Sequence, residues 1–214
     1  MSWDMSESAE FFNMLHAGVG QVTPDSDLGV FLQKVASDTQ YTRYLEIGTW
    51  NGLGSTRCFK MGFELRDDYT FISLETNEDK CELARARYLD SPRIQILHAT
   101  VLKPADVPAG PELEKIFGYY KNEWHSTDME NLAAAAYLFD TVPNQFDVVF
   151  LDGGEFTTYF EFKVVEPHCR LLICDDTSQA KCKKVREELL ANPKWRCIVD
   201  RPDDRNGWCA FSKI

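Results

Sequence analysis

From position 43 onward, short runs rich in β-branched and aromatic residues alternate with stretches whose apolar positions recur at helical spacing. The strand-like runs are 43–47, 70–75, 93–98, 146–151, 170–174, 195–201 and 207–213. Alternation of this kind predicts a mostly parallel sheet of seven strands with helices on both faces. Only Pro202, Asp203, Asp204, Arg205 and Asn206 separate the last two runs, and this turn-forming composition predicts a C-terminal antiparallel β-hairpin. Before position 43 the pattern is helical: Phe11, Phe12 and Leu15, then Leu28, Phe31, Leu32 and Val35, on either side of a break at 18–24. The expected organisation is a helical extension or lid over 1–40 and an α/β domain over 41–214, with no internal repeat.

One connection exceeds what such a fold requires. Residues 101–145 form a 45-residue link between the third and fourth strands, long enough to be a substrate-side insert. It carries Tyr119, Tyr120, Trp124 and His125 close together, and Ser126 to Glu130 offer a helix start with 131–139 as its body. The aromatic residues either wall a sugar or ring substrate or pack the insert onto the domain.

Composition narrows the classes. A chain of 214 residues suffices for one well-buried domain with a helical extension. No run approaches the ~18 apolar residues of a membrane span, and the start lacks the basic and apolar regions of a secretory signal. Seven cysteines without a C-x-x-C pair fit reduced thiols in an intracellular, cytoplasmic protein. A net charge of −11 disfavours nucleic acid as a partner. The main basic cluster, Lys181, Lys183 and Lys184, lies on a predicted helix, where a solvated face is the ordinary expectation.

The chemistry starts at the first strand, which runs through Glu46 into Gly48, Gly52 and Gly54. Glycines there let the backbone approach a ligand and turn into a helix. The spacing differs from the G-x-G-x-x-G of dinucleotide sites, which disfavours a dinucleotide-dependent oxidoreductase, and the acid suits a ligand carrying positive charge. E-x-G-x-x-x-G-x-[GS] resembles the first motif of the class I methyltransferases that use S-adenosylmethionine (SAM). The resemblance implies a Rossmann-like fold and a SAM site formed by Glu46, Gly48, Thr49, Trp50, Asn51, Gly52 and Ser55. Glu75 follows Gly54 by 21 residues, close to the ~20-residue interval at which nucleotide-binding α/β folds place a ribose-binding acid. Thr76 adjoins it, and Ala99 and Thr100 follow the third strand where such folds flank an adenine. Glu75 could instead cap the next helix, with Thr76 and Asn77 as equally good caps.

Asp152 ends the fourth strand and Asp175 and Asp176 end the fifth. Both ends lie on one edge of a parallel sheet, so three carboxylates are expected to converge there. Oxygen-only ligation of that kind suits Mg²⁺ or Mn²⁺. Leu151-Asp152-Gly153-Gly154-Glu155-Phe156-Thr157-Thr158, with Ile173-Cys174-Asp175-Asp176, resembles the paired motifs of the macrocin-type sugar O-methyltransferases, to which rhamnosyl O-methyltransferases and glycan methyltransferases of large DNA viruses are related. That resemblance implies metal ligation by Asp152, Asp175 and Asp176, and transfer of a methyl group to a sugar or glycan hydroxyl. It also implies a place in the host cytoplasm if the source is viral, and a homodimer or a unit of a multidomain glycan-synthesis enzyme. Asp152 also counts among the SAM contacts and is the favoured general base, with His125 and Glu155 as alternates. Two positions depart from the pattern: Gly154 stands where the family has a second aspartate, and Phe156 where it has a tyrosine. Glu155 compensates, or the substrate differs. Two further functions stay open, a catechol-type O-methyltransferase and a noncatalytic SAM-binding module.

Overall fold

The computed structural model describes residues 20–138 and 145–214, so the helical pattern around Phe11, Phe12 and Leu15 lies outside the described residues. The strands are β1 (Arg43–Ile47), β2 (Thr70–Glu75), β3 (Ile94–Thr100), β4 (Ala136–Tyr137), β5 (Phe146–Leu151), β6 (Cys169–Asp175), β7 (Trp195–Arg201) and β8 (Trp208–Lys213). They form one sheet in the order β4-β3-β2-β1-β5-β6-β8-β7. All pairings are parallel except those of β8 with β6 and with β7. The sheet therefore has eight strands rather than the seven expected. The additional one is the two-residue β4, through which the insert returns beside Ala99 and Thr100.

The helices are α1 (Asp27–Ser37), α2 (Ser55–Gly62), α3 (Glu78–Arg87), α4 (Gly110–Phe117), α5 (Asn122–Ala134), α6 (Thr158–Val165) and α7 (Ala180–Ala191). Two of these helices, α1 and α3, start with side-chain caps. The Ser26 hydroxyl accepts the Gly29 N–H at α1, and the Asn77 side chain accepts the Lys80 N–H at α3. In the insert, α5 begins at Asn122, not at Ser126, so His125 lies inside the helix.

The central strands are buried on both faces, as parallel strands under two helical layers must be. Tyr44, Phe71, Val148, Phe150 and Ile173 join Leu28 and Leu32 of α1 and Phe59 of α2 in one core. Leu45, Leu74, Val149, Leu151 and Leu172 join Phe162 of α6 and Val185 and Leu189 of α7 in the other. A third cluster, Leu102, Val107, Leu113, Leu132 and Phe156, fastens the insert to the domain. Burying Phe156 alone contributes on the order of 1.5–3 kcal/mol. Its ring is covered by Tyr119, at 5.9 Å between centroids, and by Tyr120, at 5.6 Å. These aromatic residues pack the insert.

Candidate active site

The carboxyl ends of β1, β2, β3, β5 and β6 open into a cavity of about 490 Å³. The β1 end shapes its floor. Gly48 has φ +95°, and a Cβ there would overlap the Asp152 carbonyl, so only glycine allows β1 and β5 to approach so closely at this point. The N–H groups of Gly48 and Thr49 both donate to the Leu74 carbonyl. Trp50 is held in the left-handed region at φ 50°, a cost of roughly 1–3 kcal/mol that surrounding contacts must offset. One such contact is evident: the Trp50 N–H donates to Glu75 Oε2 at 2.6 Å, while Glu75 Oε1 accepts the Asn77 N–H at 2.9 Å. Glu75 thus lines the cavity and also pins the glycine loop.

Of the residues assigned to SAM in the sequence, Gly48, Thr49, Trp50, Ser55, Glu75, Thr76, Ala99 and Asp152 line the cavity. Glu46, Asn51, Gly52 and Thr100 stand behind it. Strand alternation turns Glu46 away from the wall, where Thr56 Oγ1 (2.6 Å) and the Ser73 hydroxyl donate to its Oε2. Burial raises the Glu46 carboxyl to about 7 against the lowering effect of these hydroxyls. Asn51 and Gly52 tie the loop to α3: the Asn51 carbonyl accepts from Arg87 Nε at 2.9 Å and the Gly52 carbonyl from the Tyr88 hydroxyl at 2.5 Å. The Thr100 hydroxyl bonds the Leu102 N–H.

The alternate bases are also off the wall. His125 Nδ1 pairs with the Tyr120 hydroxyl at 3.1 Å and its ring packs against Phe156. Glu155 is half-buried, and burial raises its carboxyl. Other residues take their place: Asp128 and Asn131 from α5, Glu161 from α6 and Lys181 from α7 all line the cavity. Asp128 Oδ2 accepts the Phe156 N–H at 3.0 Å. Glu161 is buried with Oε2 unpartnered among the described residues, and burial raises its carboxyl to about 8. Two side-chain links mark the cavity's ends. Asn77 meets Asn131 at 3.5 Å beside Glu75, and Asn206 bridges Gln21 (3.3 Å) and Asp176 (3.0 Å) beside the acid cluster.

The three aspartates do converge, but with cations already among them. Lys181 Nζ is 2.8 Å from Asp152 Oδ1 and 2.8 Å from Asp176 Oδ2, and Arg205 Nη2 is 2.5 Å from Asp175 Oδ1. Lys181 therefore does not occupy a solvated helix face as expected. The first turn of α7 follows directly on the Asp175-Asp176 loop and turns Lys181 inward, leaving its side chain 15 % exposed. Burial raises Asp152 to about 7, with Lys181 opposing and Asp175 and Asp176 reinforcing the rise. Burial alone would lower Lys181, but Asp152 and Asp176 hold it well above the ordinary lysine value.

An ion such as Mg²⁺ takes six oxygens in a compact octahedron, typically one or two carboxylates with several waters, and so needs free carboxylate oxygens with space beside them. Here the position between Asp152 and Asp176 is filled by an ammonium, and the oxygen of Asp175 bound by Arg205 also accepts the Asp176 N–H. The donor set in this arrangement does not fit a metal ion, and among the described residues no group of three His, Cys, Asp or Glu side chains is placed to hold one.

No family model matches the chain, and no curated protein matches it in sequence. Solved structures do. An O-methyltransferase from Bacillus cereus in complex with SAH matches with a TM-score of 0.58 and 16 % identity, over 100 % of this chain and 93 % of that one. A putative caffeoyl-CoA O-methyltransferase from Staphylococcus aureus matches with a TM-score of 0.60 and 18 % identity, over 97 % and 91 %. The O-methyltransferase TomG from Streptomyces achromogenes, in complex with SAM, matches with a TM-score of 0.52 and 15 % identity, over 87 % and 79 %. The chain has the fold of the SAM-dependent O-methyltransferases. Within this methyltransferase fold the cavity occupies the carboxyl edge of the sheet, where open α/β folds bind their ligands.

Two of the unforeseen residues left different traces in the sequence. Three acids closing on one point need counter-charge, and Lys181 is the next basic residue after Asp176, so its inward position had a signal. Asp128 had none, because only the packing of α5 against the loop after β5 brings it to Gly154.

Proposed function

We propose that the protein is a SAM-dependent O-methyltransferase acting on a hydroxyl of a polyhydroxylated acceptor, a sugar or glycan. The observation that carries this reading is one continuous cavity wall joining the glycine loop and Glu75 to Asp152, Asp176 and Lys181. Glu75, Asp128, Asp152, Glu161, Asp175 and Asp176 outnumber Lys80 and Lys181 on that wall. An acid-rich cleft suits a ligand with an ammonium and a sulfonium. In this reading Glu75 receives the ribose hydroxyls, Thr76, Ala99 and the Asp128–Asn131 face flank the adenine, and the acid–lysine end receives the acceptor.

Methyl transfer is then a single displacement. The acceptor oxygen attacks the methyl carbon, the C–O bond forms as the C–S bond breaks, and the electron pair stays on sulfur to leave S-adenosylhomocysteine. The hydroxyl proton passes to Asp152. A carboxylate held near 7 is a better proton acceptor than an ordinary one while remaining substantially ionised at neutral pH. Much of the acceleration comes from holding oxygen, methyl carbon and sulfur in line.

A sugar is favoured over a flat phenol by the side chains at the acceptor end. Gln21, Asp152, Asp175, Asp176 and Lys181 are all polar, and Trp50 is the one aromatic residue on the cavity wall among the described residues. A phenolic acceptor is the second reading, supported by the neighbour described as a putative caffeoyl-CoA O-methyltransferase. No helix among the described residues is long and apolar enough to cross a membrane.

The test is SAM binding by calorimetry, followed by methyl transfer from labelled SAM to deoxysugar glycosides and to catechols. SAM binding with turnover of glycosides is expected. Turnover of catechols alone would move the acceptor to the phenolic class, and absence of SAM binding would remove the methyltransferase reading altogether.

A further inference from the structure

We propose that Lys181 is a built-in cation standing where a divalent ion would otherwise sit, so that this protein orients its acceptor without a metal. The inference rests on the methyltransferase reading for its use in catalysis. Its physical basis is independent of that reading.

Lys181 Nζ lies at the same distance, 2.8 Å, from Asp152 Oδ1 and Asp176 Oδ2, the bridging position of an ion shared by two carboxylates. The contacts are largely sheltered, with side-chain exposures of 15 % for Lys181, 24 % for Asp152 and 13 % for Asp176. An ion pair in such surroundings is screened far less than one at the surface. The backbone holds the lysine there. The Thr177 and Ser178 N–H groups donate to the Gly207 and Asn206 carbonyls, the Gln179 N–H donates to the Asp176 carbonyl, and α7 begins at Ala180.

The remaining oxygens are largely committed. Asp176 Oδ1 accepts from Asn206 at 3.0 Å, and Asp175 Oδ1 accepts from Arg205 and from the Asp176 N–H. Among the described residues Asp152 Oδ2 and Asp175 Oδ2 are left, and the position between Asp152 and Asp176, where an ion sharing their oxygens and keeping its waters would sit, is taken by the ammonium. Charge points the same way. Lys181 and Arg205 neutralise two of the three carboxylates, and a divalent ion added beside them would face two positive charges in a sheltered space.

The chemistry differs from that of a metal. An ammonium has three N–H donors, of which the two carboxylates take two; the third is available to an acceptor oxygen in the cavity that Lys181 lines. It offers a point charge and one hydrogen bond to a developing alkoxide rather than chelation of two neighbouring oxygens. The site therefore favours one positioned hydroxyl and does not require a vicinal diol.

The experiment is Mn²⁺ titration followed by electron paramagnetic resonance, on EDTA-dialysed wild type and on Lys181→Ala, with folding checked by circular dichroism and SAM affinity measured in parallel. Wild type is expected to leave Mn²⁺ free up to about 1 mM, the weak end of carboxylate sites. Lys181→Ala is expected to bind it at least about tenfold more tightly, an affinity that Asp152→Asn then removes. Lys181→Met serves the same purpose if the alanine variant does not fold. Wild-type Mn²⁺ binding that is lost in Asp152→Asn or Asp175→Asn would overturn the proposal, because the lysine would then yield to the ion. A folded Lys181 variant that binds no Mn²⁺ would also overturn it, because the cluster would not be a cation site. Failure of SAM to bind would remove the methyltransferase reading while the Mn²⁺ result still decided the identity of the cation.

Discussion

The Asp128 carboxylate occupies the space into which a side chain at Gly154 would grow: a Cβ at Gly154 would lie 2.7 Å from Asp128 Oδ1. The other oxygen, Oδ2, accepts the Phe156 N–H at 3.0 Å and so fixes α5 of the insert to the loop after β5. Gly154 thus makes room for a carboxylate delivered from elsewhere in the chain.

Replacing Gly154 by alanine should displace Asp128 and cost about 1–3 kcal/mol, the usual range for overpacking. Thr157 Oγ1, also close to that Cβ position, can rotate away, whereas Asp128 is tethered. Urea denaturation of Gly154→Ala, Asp128→Gly and the double variant gives the coupling. The alanine should cost markedly less once Asp128 is gone, and strict additivity would refute the steric account.

Glu75→Ala should weaken SAM binding by about 10–100-fold. The carboxylate accepts two backbone N–H groups, one of them from Trp50 in its left-handed conformation, and a hydrogen bond to a charged group contributes about 1.5–3 kcal/mol. Glu75→Gln retains the shape and acceptor capacity of one oxygen and should lie between alanine and wild type. Calorimetric affinities unchanged in both variants would exclude Glu75 from the cofactor site.

The strands were legible because residues such as Val148 to Leu151 are buried on both faces and form unbroken apolar runs. The acids Asp152, Asp175 and Asp176 were legible because each ends such a run or directly follows it. Glu46 was misread: the motif suggested contact with the ligand, whereas strand alternation sends its side chain toward Thr56 and Ser73. The insert was the least legible part, since β4 is two residues long and α5 starts at Asn122 without a side-chain cap. Neither leaves a periodic signal. Asp128 and Glu161 reach the cavity through helix packing, and the counter-charge from Lys181 depends on where the first turn of α7 points.

The ligand-free protein should lose stability as pH rises from about 5 to 8. Glu161 and Glu46 are raised by burial to about 8 and about 7, whereas in the unfolded chain a glutamate ionises near 4.3. Within that window the folded state holds protons that the unfolded state has released, so stability is fully present below the unfolded value and is lost as pH passes through the folded one. Glu161→Gln cannot ionise. It should have little effect at pH 5 and stabilise the protein by on the order of a few kcal/mol at pH 8. Urea denaturation at the two pH values checks the sign, and equal effects at both would show that Glu161 is ionised in the folded chain.

Asp152→Asn should separate binding from chemistry. Asp152 lines the cavity beside Lys181, and its carboxyl is raised to about 7, so the ionised fraction able to accept a proton grows as pH rises through neutrality. The wild-type rate of methyl transfer under saturating substrates should climb with pH and level off above about 8, once the carboxyl is ionised. The asparagine is nearly isosteric but accepts no proton, and should lower kcat by about 10²–10⁴-fold while SAM affinity stays within a few-fold. The pH profile of that variant should be flat across neutrality. Asp152→Glu tests position against protonation, since it retains a base at a shifted distance and should recover part of the rate together with the pH dependence. A kcat for Asp152→Asn close to wild type, with the pH dependence intact, would assign the proton to another group, and Asp176, which shares Lys181 with Asp152, would be the next carboxylate to replace.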